Sequence, residues 1–268
     1  MYQAEQKTAS AIVVFDIDGV IRDVGGSYRR ALADTVEHYT GGVYRPSMKD
    51  IDTLKGEGVW NNDWEASREL IYRYFEGQGG DRTQLNYDYQ EIVAFFQSRY
   101  RGPDPVHWTG YICDEPLLLQ PSYLEGLTQA QIRWGFFSGA TRGSATYVLE
   151  KRLGLRSPVL VAMEDAPGKP DPTGLFDVIQ QLEPHSGTLS PVIYVGDTVA
   201  DMQTVEHARQ QEPSRQWIGV GILPPHAQTT PEYATAYSLQ LQQAGGAIVL
   251  KSVEELIPTV IQTLLMKN

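Results

Sequence analysis

Ala11-Ile12-Val13-Val14-Phe15-Asp16-Ile17-Asp18-Gly19 is the stretch on which the architecture of this chain turns. Five apolar residues, most of them β-branched or aromatic, run without interruption and stop at a carboxylate. A strand with one wet face alternates apolar and polar side chains. An unbroken run belongs to a strand covered on both faces, as in a parallel sheet. Further along, strands are expected over 133–138, 159–163, 192–195, 217–222 and 247–250. Helices are expected over 144–153, 173–182, 201–210 and 253–265. Strands alternating with helices of this length imply a doubly wound α/β domain, a parallel sheet with helices on both faces. The segment 224–246 fits neither period.

The alternation is interrupted between 26 and 108, where no buried strand can be read. Ser27 can cap a helix that runs to about Tyr39 and is stopped by Gly41-Gly42. Apolar residues recur at helical spacing over 63–75 and 87–100, and Gly/Pro-rich breakers lie at 77–81 and 102–105. The expected organisation is therefore an α/β core over 1–25 and 109–268, with a helical insertion over 26–108.

Composition narrows the function classes. Of the 268 residues, 22 are basic and 33 acidic, a formal charge of −11. Binding to nucleic acid or to an anionic membrane usually shows the reverse balance, so neither is expected. An anionic metabolite remains possible where a pocket is locally positive or a metal supplies charge. Cys113 is the only cysteine, which rules out an intramolecular disulfide and a cysteine-based zinc site. The polar start of the chain has no apolar signal core, and no run of eighteen apolar residues follows, so the cytoplasm is the expected compartment. Nothing in the sequence speaks to oligomeric state.

Ligand sites in parallel sheets lie beyond the C-terminal strand ends. There the chain places Asp16-Ile-Asp18-Gly19 after the first strand, Ser138-Gly139 after the second, and Gly196-Asp197-Thr-Val-Ala-Asp201 after a later one. Lys169-Pro170 sits in a loop between them. Each alone has an ordinary explanation: a helix cap, a turn, a solvated lysine. A calcium EF-hand is excluded for Asp-x-Asp-Gly, because its glycine is the sixth loop residue and helices flank the loop.

Together, and in this order, the four segments resemble the motif set of the haloacid dehalogenase-like (HAD) hydrolase superfamily. The wider pattern is similar to its helical-cap branch, subfamily IA, which holds phosphoglycolate phosphatases and β-phosphoglucomutases. The resemblance implies a Rossmann-like core with an α-helical cap inserted after the first motif. It also implies Mg2+ and a phosphorylated metabolite as substrate. Asp16 would be the nucleophile and Asp18 the general acid and base, with its backbone carbonyl on the metal. Asp197 would bind the metal, with Asp201 beside it, and Asp16 completes the metal set. Ser138, with Gly139, would hold phosphoryl oxygens, and Lys169 would offset the charge on Asp16.

The residue types suit that chemistry. A phosphate monoester repels nucleophiles, a magnesium ion neutralises part of its charge, and hard oxygen ligands suit magnesium. Asp18 favours a phosphoryl substrate, because a departing halide needs no proton donor.

The insertion contains Leu54-Lys55-Gly56 and Trp60-Asn61-Asn62-Asp63-Trp64. Leu-Lys-Gly is similar to the cap loop of β-phosphoglucomutases and related sugar-phosphate phosphatases. Lys55, Trp60, Asn61 and Asn62 are substrate-binding candidates, with a helix start and two core tryptophans as the alternative. Arg22, Arg29 and Arg30 are candidates for attracting phosphate. Two departures argue against a mutase: Tyr28 stands where mutases carry a histidine, and Gly58-Val59 stands where they carry an arginine. A phosphatase is expected. A phosphomutase and a non-catalytic binding protein are the alternatives, and Asp18 speaks against the last, since a binding module needs no general acid.

Overall fold

The first strand, β1 (Ile12–Phe15), is buried along its whole length. Four helices follow it: α1 (Tyr28–Tyr39), α2 (Met48–Lys55), α3 (Asp63–Gly77) and α4 (Tyr89–Tyr100). They enclose an apolar core of their own, with Leu32, Val36, Ile51, Leu54, Leu70 and Phe96 among its members. The computed structural model describes residues 11–60, 62–183 and 189–267.

The remaining elements alternate. They are α5 (Pro121–Gln129), β2 (Arg133–Phe137), α6 (Arg142–Thr146, continued as a π turn to Arg152), β3 (Leu160–Val161) and α7 (Thr173–Leu182). After these come β4 (Val192–Gly196), α8 (Val199–Gln211), β5 (Trp217–Ile222), α9 (Pro231–Gln243), β6 (Gly246–Leu250) and α10 (Pro258–Lys267). All five strand pairings are parallel, in the order β3-β2-β1-β4-β5-β6. Side chains alternate across the sheet as a pleat demands. Val13, Phe15, Ile193, Val195 and Ile218 pack under α5, α6 and α10. Ile12, Val14, Val192 and Tyr194 pack under α7 and α8 on the other face. The fold is thus a doubly wound, Rossmann-like α/β sheet with an inserted α-helical cap domain, as the sequence implies.

The order in which strands are added across the sheet reverses at β1, whose neighbours are β2 on one side and β4 on the other. That switch point places the β1 and β4 ends side by side. Two linkers join the helical layer to the sheet. They run together, with the Asp23 N–H donating to the Pro116 carbonyl and the Leu118 N–H to that of Ile21, both at 2.8 Å.

The structure departs from the sequence expectations at several elements. α2, α5 and α9 are helices that the apolar pattern did not reveal. The helix expected over 253–265 is a 3-10 turn at Val253–Glu255 followed by α10 from Pro258. Proline lacks the N–H and its ring clashes with the preceding turn, so a helix starts there rather than passing through. The strand expected over 159–163 pairs only at Leu160–Val161. The helix expected from 201 begins at Val199, capped by Thr198. Among the described residues, no helix is long and apolar enough to cross a membrane.

Candidate active site

The site is built at the β1–β4 switch. Asp16 follows β1, and its N–H donates to the Val195 carbonyl at 2.8 Å, fixing the turn against β4. Asp197 follows β4. Gly19 has φ +75°, and a Cβ there would lie 2.0 Å from Asp197 Oδ2, so only glycine lets the two loops meet. Gly196 is held to glycine for a similar reason: a Cβ would sit 2.3 Å from Asp201 Cβ.

Lys169 is buried between two carboxylates. Its Nζ lies 2.9 Å from Asp16 Oδ1 and 2.6 Å from Asp201 Oδ1. Asp201 is fully engaged. The Tyr194 hydroxyl donates to Oδ1 at 3.1 Å, and the Thr198 N–H and hydroxyl donate to Oδ2 at 2.9 and 2.6 Å. Burial pushes the Asp201 pKa up, but Lys169 and Thr198 outweigh it and hold it below the usual value. Burial pushes Asp16 the other way, up to about 7, with Lys169 opposing and the charges of Asp201 and Asp18 adding to the rise. Burial, with the charges of Asp201 and Asp16, drives Asp197 well above its ordinary value. Lys169 is raised by the two aspartates despite its burial.

Carboxylate oxygens of Asp16, Asp197 and Asp201 all lie within 4.8 Å of one another. Asp197 is only 4% exposed, yet its carboxylate accepts no hydrogen bond and joins no ion pair among the described residues. A buried, unpartnered carboxylate is costly unless a cation or proton meets it. This donor set, hard oxygens with excess negative charge, suits a divalent cation such as magnesium.

Around these groups is an inner cavity of about 40 Å3, lined among others by Asp16, Asp18, Ser138, Gly139, Lys169 and Asp197. Ser138 lies beyond β2, and its Oγ accepts from the Ala140 N–H at 3.1 Å, leaving the hydroxyl hydrogen free to donate. Tyr28, Arg29, Lys55 and Asp63 from the helical layer close the cavity from above. A second cavity of about 270 Å3 shares Ser138, Gly139 and Lys169 with the first, and opens between the α3 start and the 162–168 loop.

Other candidates are placed differently. Arg22 is wholly buried and lines neither cavity. Its Nε donates to Asp18 Oδ1 at 2.7 Å and a terminal nitrogen to Glu115 Oε2 at 2.9 Å. The Ser27 hydroxyl completes this cluster by donating to Glu115 at 2.5 Å. Burial, partly offset by Arg22, pushes Glu115 up to about 7. Trp60 also lies outside both cavities, its Nε1 donating to Glu57 at 2.7 Å with Arg73 against its ring. Asn62 caps α3, its Oδ1 accepting from Trp64 N–H at 3.0 Å, and it also lines the larger cavity. Asn61 lies outside the described residues. Arg30 is exposed over the Tyr111 ring. Lys55 lines the inner cavity but is paired with Asp63 at 2.9 Å. Glu164 and Asp165 do not reach Lys169. Glu164 accepts from the Arg142 N–H, and Asp165 pairs with the Arg142 guanidinium.

The sequence did not reveal a second buried cluster over the site. Arg29 pairs with Asp52 of α2 at 2.6 Å. His226 Nε2 lies 3.0 Å from Asp52, and Tyr233 of α9 is hydrogen-bonded to the same carboxylate. Burial opposes ionisation of Asp52, but His226 and Arg29 prevail and hold it down at about 2. It is therefore ionised, and His226 Nε2 is the donor. Tyr237, one turn further along α9, donates to the Asp197 carbonyl at 3.0 Å. The 224–246 segment thus ties the helical layer to the Asp197 loop. The only hint in sequence is the Tyr233, Tyr237, Leu241 stripe at helical spacing.

The family model for haloacid dehalogenase-like hydrolases matches residues 11–209. A curated relative from Phytophthora nicotianae, named imidazoleglycerol-phosphate dehydratase, is 28% identical over 245 residues, 89% of this chain and 49% of that protein. The chain spans about half the length of this relative. Among solved structures, a phosphonoacetaldehyde hydrolase-like protein from Oleispira antarctica superposes with a TM-score of 0.67 at 16% identity, covering 100% of this chain and 97% of the other. Phosphatase Tt82 from Thermococcus thioreducens gives 0.58 at 22% identity, covering 76% and 90%. At such identities these two likenesses carry the fold alone.

Proposed function

This chain belongs to the haloacid dehalogenase-like hydrolase family, and on that premise we propose that it is a Mg2+-dependent phosphatase of a small phosphorylated metabolite. One observation carries the reading: Asp16, Ser138, Lys169 and the unpartnered Asp197 meet at a single buried cavity, at the place where such sheets bind ligands.

In this reading Asp16 attacks phosphorus and forms an aspartyl-phosphate. Lys169, bonded to Asp16, favours its ionised form against the pull of burial. The Ser138 hydroxyl and neighbouring backbone N–H groups hold the phosphoryl oxygens as they shift in the transition state. Asp18 gives a proton to the departing alkoxide and then takes one from the water that cleaves the acyl phosphate. Its Oδ1 accepts from Arg22 Nε at 2.7 Å. Asp197 and Asp16 would hold the ion, with the Asp18 carbonyl as a further ligand. Asp201, whose oxygens are engaged by Lys169, Tyr194 and Thr198, would position the loop. When bound, the ion neutralises the phosphate and aligns it for in-line attack.

The helical layer, 26–108 in the sequence reading, would be the cap that excludes water and meets the leaving group. The test is phosphate release from p-nitrophenyl phosphate and a metabolite panel, with magnesium and then with EDTA. The curated relative's name adds an imidazole-bearing polyol phosphate to that panel. Turnover that needs magnesium and disappears in Asp16→Asn is expected. Undiminished turnover in EDTA, or more than a few per cent retained by Asp16→Asn, contradicts the reading.

A further inference from the structure

We propose that the 270 Å3 cavity beside the phosphate site selects phosphate esters whose alcohol portion carries a nitrogen cation, and that Glu65 is the residue that selects them. This deepens the phosphatase reading and rests on it.

The inner cavity offers about 40 Å3 and the adjoining one, which shares Ser138, Gly139 and Lys169 with it, about 270 Å3, so the alcohol portion of a substrate is assigned to the larger one. Its walls are mostly apolar, with Val59 from the cap and Ala162, Met163 and Pro167 from the core. Asn62 and Glu65 supply polar groups. Asn62 Oδ1 already serves as the α3 cap. The Glu65 carboxylate accepts no hydrogen bond and joins no ion pair among the described residues, although it lines the cavity.

Among the described residues, the cations lining the two cavities are already engaged, and Arg68, one turn along α3 from Glu65, lies over the Tyr89 ring and lines neither cavity. Lys169 is bound by Asp16 and Asp201, Lys55 by Asp63, Arg29 by Asp52, and Arg22 by Asp18 and Glu115. A substrate carboxylate or second phosphate entering the larger cavity would meet Glu65 and no compensating charge. An ammonium or imidazolium would pair with it. A first-turn glutamate also gains a little from the helix start. That accounts for an acidic residue in α3 but not for an unpaired one opening on the substrate cavity.

The test compares kcat/KM for ω-amino-, ω-hydroxy- and ω-carboxyalkyl phosphates of two to five carbons, which differ in tail charge at matched length. At the best length the amino ester is expected to exceed the hydroxy ester by about fivefold, and that ester to exceed the carboxy ester similarly, as for a partly exposed ion pair. Glu65→Gln should shrink the amino-to-carboxy ratio at least about fivefold, and Glu65→Lys should invert it. A carboxy ester turned over as fast as the amino ester, or a ratio unmoved in Glu65→Gln, overturns the inference. Failure of wild-type protein to hydrolyse even p-nitrophenyl phosphate is a different result and defeats the phosphatase reading itself.

Discussion

At the residue scale, Asp16 and Asp197 would make cation binding a proton exchange. Asp16 is held up at about 7 by burial, and Asp197 well above its ordinary value. Below about pH 7 the cation-free site therefore retains protons that an unfolded chain has lost. The sign follows. A carboxyl with a raised folded pKa makes the cation-free protein less stable as pH climbs from about 4 to 7, because only the folded state must keep or shed that proton unfavourably. A cation can enter only as the proton leaves, so its affinity rises over the upper part of the same window. Calorimetry should show the apparent magnesium Kd falling by up to about tenfold between about pH 6 and 7, and levelling off by about pH 8. A Kd independent of pH across that range contradicts the assignment of Asp16 and Asp197 to the ion. Lys169, in a loop, and Asp201, inside α8, were named through the family resemblance, whereas Asp16, Asp18, Ser138 and Asp197 could be named from sequence because each follows a strand end. The state of Arg22 could not. Its commitment depends on Glu115, 93 residues away, brought close by the pairing of the two linkers.

At the element scale, α9 decides how the helical layer sits over the core. Asp52 of α2 is the hub, receiving Arg29, His226 and Tyr233, while Tyr237 reaches the Asp197 loop. His226→Ala removes a hydrogen bond to a buried carboxylate, so the unfolding free energy should fall by about 2 kcal/mol. A looser cap should also raise KM for a bulky ester several-fold more than for p-nitrophenyl phosphate, which needs little from the cap. Equal changes in KM for both substrates would mean that the cluster is structural only. Both partner helices escaped the sequence reading, for physical reasons. α2 has eight residues and its capping box is Ser47-x-x-Asp50, with the shorter acid in the place usually held by glutamate. α9 buries only Tyr237 and Leu241, among a threonine, a serine and glutamines, so its stripe is too thin to stand out. The strands and α7 carry dense apolar runs, and those were legible.

At the scale of the whole molecule, the β3-β2-β1-β4-β5-β6 order turns motifs 180 residues apart into neighbours. The helical layer then roofs the place where they meet. The net charge of −11 makes the molecule as a whole repel anions. In the proposed reading, phosphate capture would therefore be local, through Ser138, Lys169 and an ion on the carboxylates. The central claim is that turnover passes through Asp16. Acid quenching during turnover of a 32P-labelled ester, followed by digestion and peptide mass analysis, tests it most directly. The account predicts label on the peptide carrying Asp16 in the wild-type protein and none in Asp16→Asn. Steady turnover with no labelled peptide, or with label on a different residue, would contradict it.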